Sequence, residues 1–324
     1  MTKFRTLLPL AVTVAVAACG GSGSDSGSDT SQPTASEKTT MTLGVSDAPV
    51  SNVRAVNIVI DGIVLKKGQE QLSFKTKDED GNPVSINLLD YTGDEIFPLL
   101  TDVELESGEY EWLRANIING TSADNLALGS HLIFNDDSQV ALDVKRKGND
   151  GVGEIQINNV VVNEGDNAFV LEFDLNRSLV TPQNGSTVYL KPTAIRLENI
   201  QTTFTVSGSV AEDLKQACIT DSSELAPEQG EYKHVVYLYS EQAEQPEDIF
   251  ETEPVDTNSP IATSTLDENN EFAIGFIPAD NYQIGYSCLG HIDDVEVKDT
   301  DFTLYQQKEL AVSADVTMAF ESAS

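Results

Sequence analysis

The sequence predicts an all-β protein: two tandem β-sandwich domains behind a signal peptide and a flexible linker. Three observations support this. From Met41 onward apolar and polar residues alternate, and β-branched residues are abundant. Hairpin-type turns such as Asp80-Gly81-Asn82-Pro83 and Asn149-Asp150-Gly151 separate the alternating runs. Helical periodicity is scarce, with room for short helical pieces only from Leu89 to Leu100 and from Ser122 to Ala127. Many short strands joined by such turns argue for sandwiches.

The chain opens as a secreted protein does. Lys3 and Arg5 precede an apolar stretch from Leu7 to Ala18, which is too short to span a bilayer core of about 30 Å. Val16-Ala17-Ala18-Cys19 then places small residues before a cysteine. This resembles the bacterial lipoprotein motif, which implies that residues 1–18 are removed and that Cys19 is acylated. Val16 stands where Leu is commoner, and Gly20 follows the cysteine instead of Asp, so the resemblance points to the outer membrane. Several acyl chains anchor firmly where one does not, at about 0.8 kcal/mol per buried CH₂. Residues 19–40 are rich in Gly, Ser, Asp and Thr and offer almost nothing to a core, so they read as a tether with a reach of roughly 25 Å.

Of 324 residues, 53 are acidic and 19 basic, for a net charge of −34. Removal of residues 1–18 takes away Lys3 and Arg5 and no acid, so the mature chain is more negative still. Such a surface repels nucleic acid and anionic headgroups, which leaves the lipid as the means of membrane contact. With Cys19 acylated, Cys218 and Cys288 remain as a pair in an oxidising compartment, and a disulfide between them is expected. His234 and His291 do not stand at zinc-ligand spacing with these cysteines.

The first sandwich is expected over residues 41–200. Val53 to Ile60 alternates into Gly62 and then Ile63-Val64-Leu65. Leu113, Ala115 and Ile117 point one way from a strand, and Trp112, Arg114 and Asn116 point the other. Val140 to Val144 and Phe169 to Leu175 are further strands. Ser46-Asp47-Ala48-Pro49, Gly108-Glu109-Tyr110 with Arg114, Phe173-Asp174-Leu175-Asn176-Arg177-Ser178, and Leu190-Lys191-Pro192 closing on Arg196 follow in order. Together they resemble the bacterial lipoprotein family of the domain of unknown function 4382, over about residues 40–199. The resemblance implies an extracytoplasmic β-sandwich and brings no catalytic residues.

The second sandwich is expected over residues 203–322. Phe204 to Val210 and His234 to Tyr239 read as strands. Ala262 to Thr265, the acidic turn Asp267-Glu268-Asn269-Asn270-Glu271 and the run from Ile277-Pro278-Ala279-Asp280-Asn281-Tyr282 to Ile284 resemble the carboxypeptidase regulatory-like, transthyretin-like sandwich. Asn270 and Asp280 stand where that family has glycine, and both residue types tolerate left-handed backbone. The family is grouped with carbohydrate-binding-like folds, a grouping that does not by itself give a function.

No catalytic constellation emerges. His131, His234 and His291 are the only histidines, none beside a nucleophile-elbow pattern. No organic cofactor is expected. Calcium is the one candidate ion, at Asp78, Asp80 and Asp267, where turns present oxygen ligands, although neither turn fits an EF-hand loop. Trp112 with Arg114, and Tyr237 with Tyr239, are candidates for stacking on sugar rings. Arg114, Arg177 and Arg196 are expected to pair with Glu172 or Asp174 and tie strands together. The expectation is therefore a non-catalytic, lipid-anchored envelope protein whose sandwiches bind carbohydrate at the cell surface. The alternative is a structural or adhesion protein, or an accessory subunit of an envelope complex, that binds another protein.

Overall fold

In the computed structural model the described residues are 39–322, apart from 49, 51–52, 149–151, 183–185, 229 and 251–255. The expected signal peptide, Cys19, most of the expected tether and the expected Asn149-Asp150-Gly151 turn lie outside them. The described residues are mostly strand, arranged in four sheets that make two β-sandwiches. No helix among them is long and apolar enough to cross a membrane.

The first sandwich contains β1 (Thr40–Ala48), β2 (Val53–Lys67), β3 (Glu70–Lys75), β4 (Val84–Asn87), β5 (Phe97–Glu104), β6 (Gly108–Ile117), β7 (His131–Phe134), β8 (Gln139–Val144), β9 (Gly153–Val162), β10 (Asp166–Asp174), α1 (Leu175–Ser178), β11 (Leu179–Val180), β12 (Thr187–Leu190) and β13 (Ile195–Asn199). One sheet runs β13-β10-β1-β5. The other runs β11-β12-β8-β7-β2-β6-β9, with β3 and β4 also on β2. The long strand β2 serves all of these partners by changing neighbours along its length, and its register shifts at Gly62.

Alternation decides the packing. On β6, Leu113, Ala115 and Ile117 are buried while Trp112, Arg114 and Asn116 are half-buried. Phe169, Leu171 and Phe173 of β10 and Met41, Leu43 and Val45 of β1 enter the same core. From Phe169 to Asp174, however, every residue of β10 is buried. The parallel pair β1–β10 therefore lies in a sheet covered on both faces.

Its second cover is the second sandwich, which begins at once after β13. It contains β14 (Thr203–Val210), α2 (Glu212–Asp221), β15 (Val235–Ser240), β16 (Ala262–Thr265), β17 (Glu271–Pro278), β18 (Asp280–Ser287), β19 (Gln306–Val312) and β20 (Val316–Phe320). The sheets run β17-β14-β20 and β16-β15-β18-β19. Both sandwiches belong to one compact unit.

Three sequence expectations need correction. Helix α2 was not foreseen, because only Leu214 and Cys218 of its ten residues are buried, too little to register as a period. Its acidic first turn, Glu212 and Asp213, sits favourably at the positive end of the helix. The stretch 89–100 holds a one-turn 3₁₀ segment at Leu88–Asp90 and then strand, and 122–127 meets another such turn at Leu126–Leu128. Asn270 does adopt left-handed backbone, with φ of 65°, but Asp280 is not among the described residues with positive φ and opens β18 instead.

Two devices fasten the strands. Cys218 of α2 is bonded to Cys288 across a sequence separation of 70, with the α-carbons 6.2 Å apart. Each sandwich also has a tyrosine whose hydroxyl donates to a carbonyl four residues upstream, Tyr110 to Glu106 at 2.8 Å and Tyr282 to Pro278 at 2.9 Å.

Two outcomes are expected. The Cys218→Ser/Cys288→Ser double variant should lose up to about 4 kcal/mol by the chain-entropy relation, read from denaturant unfolding. A midpoint equal to the parent's would mean the bridge constrains nothing. At Gly275 an added Cβ would collide with the Gly93 carbonyl oxygen of the first sandwich. Gly275→Ala should therefore cost about 1–3 kcal/mol in the same assay, and an unchanged midpoint would refute that contact.

Candidate functional site

The motifs of the first sandwich converge on the second one. Glu172 and Asp174 alternate with the core residues of β10, so they leave the opposite face of the sheet. Asp174 caps α1, accepting from the Arg177 N–H at 3.1 Å. The same carboxylate accepts from the Thr263 N–H at 2.7 Å and the Thr263 hydroxyl at 2.8 Å, both on β16. Arg177 Nη1 donates to the Ile261 carbonyl at 2.6 Å and lies 4.0 Å from Asp174. Asn176 Nδ2 donates to Thr263 Oγ1 at 3.2 Å, and its Oδ1 accepts from Lys233 Nζ. The segment Asp174-Leu175-Asn176-Arg177 is thus spent on holding the second sandwich.

Arg196 makes a second tie. It stands opposite Glu172 in the β10–β13 ladder and bonds Glu198 at 2.9 Å. It also donates to the carbonyls of Phe276 at 3.1 Å and Gly275 at 3.3 Å on β17. Asp47, from the Ser46-Asp47-Ala48-Pro49 motif, is fully buried and accepts from the Leu175 N–H at 3.4 Å. Of the three arginines expected to pair with Glu172 or Asp174, Arg177 does so, and Arg196 neighbours Glu172 while bonding Glu198. Arg114 does not, because β6 lies in the other sheet. It binds Gln156 at 2.6 Å and Glu154 at 3.3 Å.

Three carboxyl groups so deeply placed resist ionisation. Burial pushes Glu172 up to about 8, against the attraction of Arg196. Burial also raises Asp174, opposed by Arg177, and raises Asp47 well above its ordinary value, helped by the neighbouring Glu172 and Asp174. Among the described residues Glu172 Oε2 and Asp47 Oδ2 lack a hydrogen-bond partner, which a protonated carboxyl tolerates better than a carboxylate.

The tyrosines expected to stack on sugar are unavailable for it. Tyr237 and Tyr239 are each 0 % exposed. Alternation puts them on one face of β15, but that face is covered by Val180 of the first sandwich and by Ile249, Val295 and Phe302. Their hydroxyls are also engaged, Tyr237 on Asp293 at 2.7 Å and Tyr239 on the Glu247 carbonyl at 2.8 Å. Trp112 stays half-buried on β6, with the Arg114 guanidinium 4.0 Å from its ring centroid, so one face of the indole is covered.

The acidic turns close on themselves. Asp78 Oδ1 accepts from the N–H groups of Asp80 at 3.0 Å and Asn82 at 2.8 Å. Asp267 Oδ1 accepts from Asn269 at 2.9 Å and Glu271 at 2.8 Å. These are side-chain-capped turns, and the fold does not bring Asp78 and Asp80 together with Asp267. Among the described residues the carboxylates that do converge are Asp248, Asp293 and Asp299, which the sequence does not single out because they lie in loops without a motif. Backbone N–H groups of Ile249 and Asp299 and the Tyr237 hydroxyl already bond this trio. The histidines serve packing: His234 bonds the Tyr286 hydroxyl at 2.7 Å, His291 the Leu225 carbonyl at 2.9 Å and His131 the Gly129 carbonyl at 2.9 Å.

The buried acids give the fold a signed pH dependence. A carboxyl raised from 4.5 to about 8 binds its proton more tightly when folded, so its contribution is intact below 4.5 and falls as the pH rises toward 8. Each tenfold gain in proton affinity corresponds to about 1.4 kcal/mol. His234, lowered from 6.5 to about 4 by burial, acts oppositely, weakening the fold as pH falls through that range. The parent's unfolding midpoint should therefore drop between pH 6.5 and 8, and Glu172→Gln should flatten that drop. Parallel profiles for parent and variant would show that Glu172 titrates normally.

Residues 38–192 match the model of the domain of unknown function DUF4382. No curated protein matches the chain. Among solved structures, the chain is similar to the major pilin subunit BcpA of Bacillus cereus, at 12 % identity over 87 % of this chain and 70 % of that one, TM-score 0.19. A minor pilin of Streptococcus agalactiae aligns at 9 % identity over 86 % and 94 %, TM-score 0.19. A putative adhesin from Bacteroides ovatus aligns at 8 % identity over 94 % and 99 %, TM-score 0.18. The chain thus carries a DUF4382 domain at residues 38–192, joined to a second, C-terminal β domain.

Proposed function

We propose that this protein is a non-catalytic, lipid-anchored envelope protein that stands at the cell surface as a structural or adhesion element and engages another protein or a matrix polymer. One observation carries this reading: the motif residues of the first domain, Asp47, Asp174, Asn176, Arg177 and Arg196, are committed to coupling two sandwiches, not to lining a reaction pocket. A stiff two-sandwich body suits display and load. The Cys218–Cys288 bridge suits an oxidising compartment. Strands β9 and β19 end their sheets, and each offers an outer edge that an added strand can pair with. The Val16-Ala17-Ala18-Cys19 motif supplies the anchor, and the net charge of −34 opposes nucleic acid as a partner. Carbohydrate binding is a second reading, favoured by the half-buried Trp112 beside Arg114.

Protease added to intact cells should remove the folded part without lysis. Protection until the outer membrane is opened would place the protein on the periplasmic side and sink the surface reading. Cys19→Ala should release the protein from the membrane fraction. On a glycan panel, saturable binding abolished by Trp112→Ala would move the weight to the second reading.

A further inference from the structure

We propose that the Lys233 side chain and the Asn176 carboxamide join in an intramolecular amide bond, formed with loss of ammonia, that covalently links the two sandwiches. The carboxamide is held at both ends. Its Oδ1 accepts from Lys233 Nζ, which brings the amine next to Cγ. Its Nδ2 donates to Thr263 Oγ1 at 3.2 Å, and that hydroxyl donates to Asp174 Oδ1 at 2.8 Å. A nucleophile, a carbonyl carbon, a leaving nitrogen and a proton path to a carboxyl group thus lie in one chain of contacts. The site is secluded: Asn176 is 7 % exposed, Asp174 1 % and Thr263 0 %. Lys233 as a residue is only half-buried, but its amine end is the enclosed part.

The chemistry balances without any other reactant. The Nζ lone pair attacks Cγ, the Nζ–Cγ bond forms and the Cγ–Nδ2 bond breaks. A proton leaving the amine passes to the Asp174 carboxylate. A proton is returned from Asp174 through the Thr263 hydroxyl to Nδ2, which departs as ammonia. Only a neutral amine can attack. Burial lowers the Lys233 amine from its ordinary value, against the pull of Asp293 and Asp174. Burial likewise raises Asp174, which makes its protonated form accessible as the acid. Fixing the two groups against each other removes the entropic part of the barrier.

The protein holds a contrasting contact. Lys215 Nζ also meets an Asn oxygen, that of Asn270, whose Nδ2 donates to Glu212 at 3.1 Å. There the Lys215 side chain is also largely enclosed, but the Glu212 side chain is 62 % exposed, so the acid is not withdrawn from water and no cross-link is expected.

The test is mass spectrometry of the protein purified from cells, denatured and fully reduced. Relative to its Lys233→Arg variant, and after allowing for the substitution, the parent should be lighter by one ammonia. A digest should yield a branched peptide joining the segments that contain residues 176 and 233. Asn176→Ser should abolish both signals. Thr263→Val keeps the backbone bond to Asp174 and removes the proton path, so it should slow formation by about 100-fold or more. Circular dichroism and an intact Cys218–Cys288 bridge establish that each variant is folded. A folded parent of full sequence mass, with residues 176 and 233 in separate linear peptides, would overturn the proposal. A branch at residues 215 and 270 would overturn the requirement for a buried acid.

Discussion

The Asp174 carboxylate is the constraint on which the rest of the structure depends. It ends β10, caps α1 and accepts two hydrogen bonds from Thr263 of the other sandwich. A buried carboxyl group is costly unless its lone pairs are occupied, so the position of β16 follows from the need to satisfy this one group. Replacing Asp174 alone would leave the Thr263 N–H and the α1 N-terminus without an acceptor. The members of the junction thus hold one another, and both sandwiches lie in one compact unit.

That arrangement explains the chemistry of the four-stranded sheet of the first sandwich. An antiparallel sandwich ordinarily shows water one face of each sheet. Here the outward face of β10 meets a second domain, so Glu172 and Asp174 are sealed with it. Part of the cover is polar and matched to them: Arg196 reaches the Gly275 and Phe276 carbonyls, and Gly275 admits the Gly93 backbone closely because it has no Cβ. Such a polar interface specifies one orientation more than it adds net stability. The apolar part, where Val180 of the first sandwich meets Tyr237 and Tyr239 of the second, supplies the burial.

Much of the fold was legible in the sequence. The alternation at Leu113, Ala115 and Ile117, the hairpin turn at Asp80-Gly81-Asn82 and the order of the DUF4382 motifs all describe local geometry that short stretches of chain decide alone. Helix α2 was not legible, because only Leu214 and Cys218 of its ten residues turn inward. The site was legible only in its parts. Asp174, Arg177 and Arg196 stood out as motif residues, while Thr263, Lys233 and Asn176 gave no sign of being neighbours. Sequence positions 174 and 263 become partners only through the packing of one sandwich on the other.

The sequence by itself determined strand composition, the pairing of the last two cysteines and the acidic balance of the chain. Each of these follows from residue type, number and order along the chain. The tertiary structure decided which faces are wet. Alternation correctly placed Tyr237 with Tyr239 on one side of β15, yet it is silent on what lies over that side, and the answer was Val180, Ile249, Val295 and Phe302. The same holds for the buried acids. A period of two assigns side chains to a face, but only long-range packing determines whether that face meets water or another domain, and so whether a carboxyl group is a solvated charge or a buried junction.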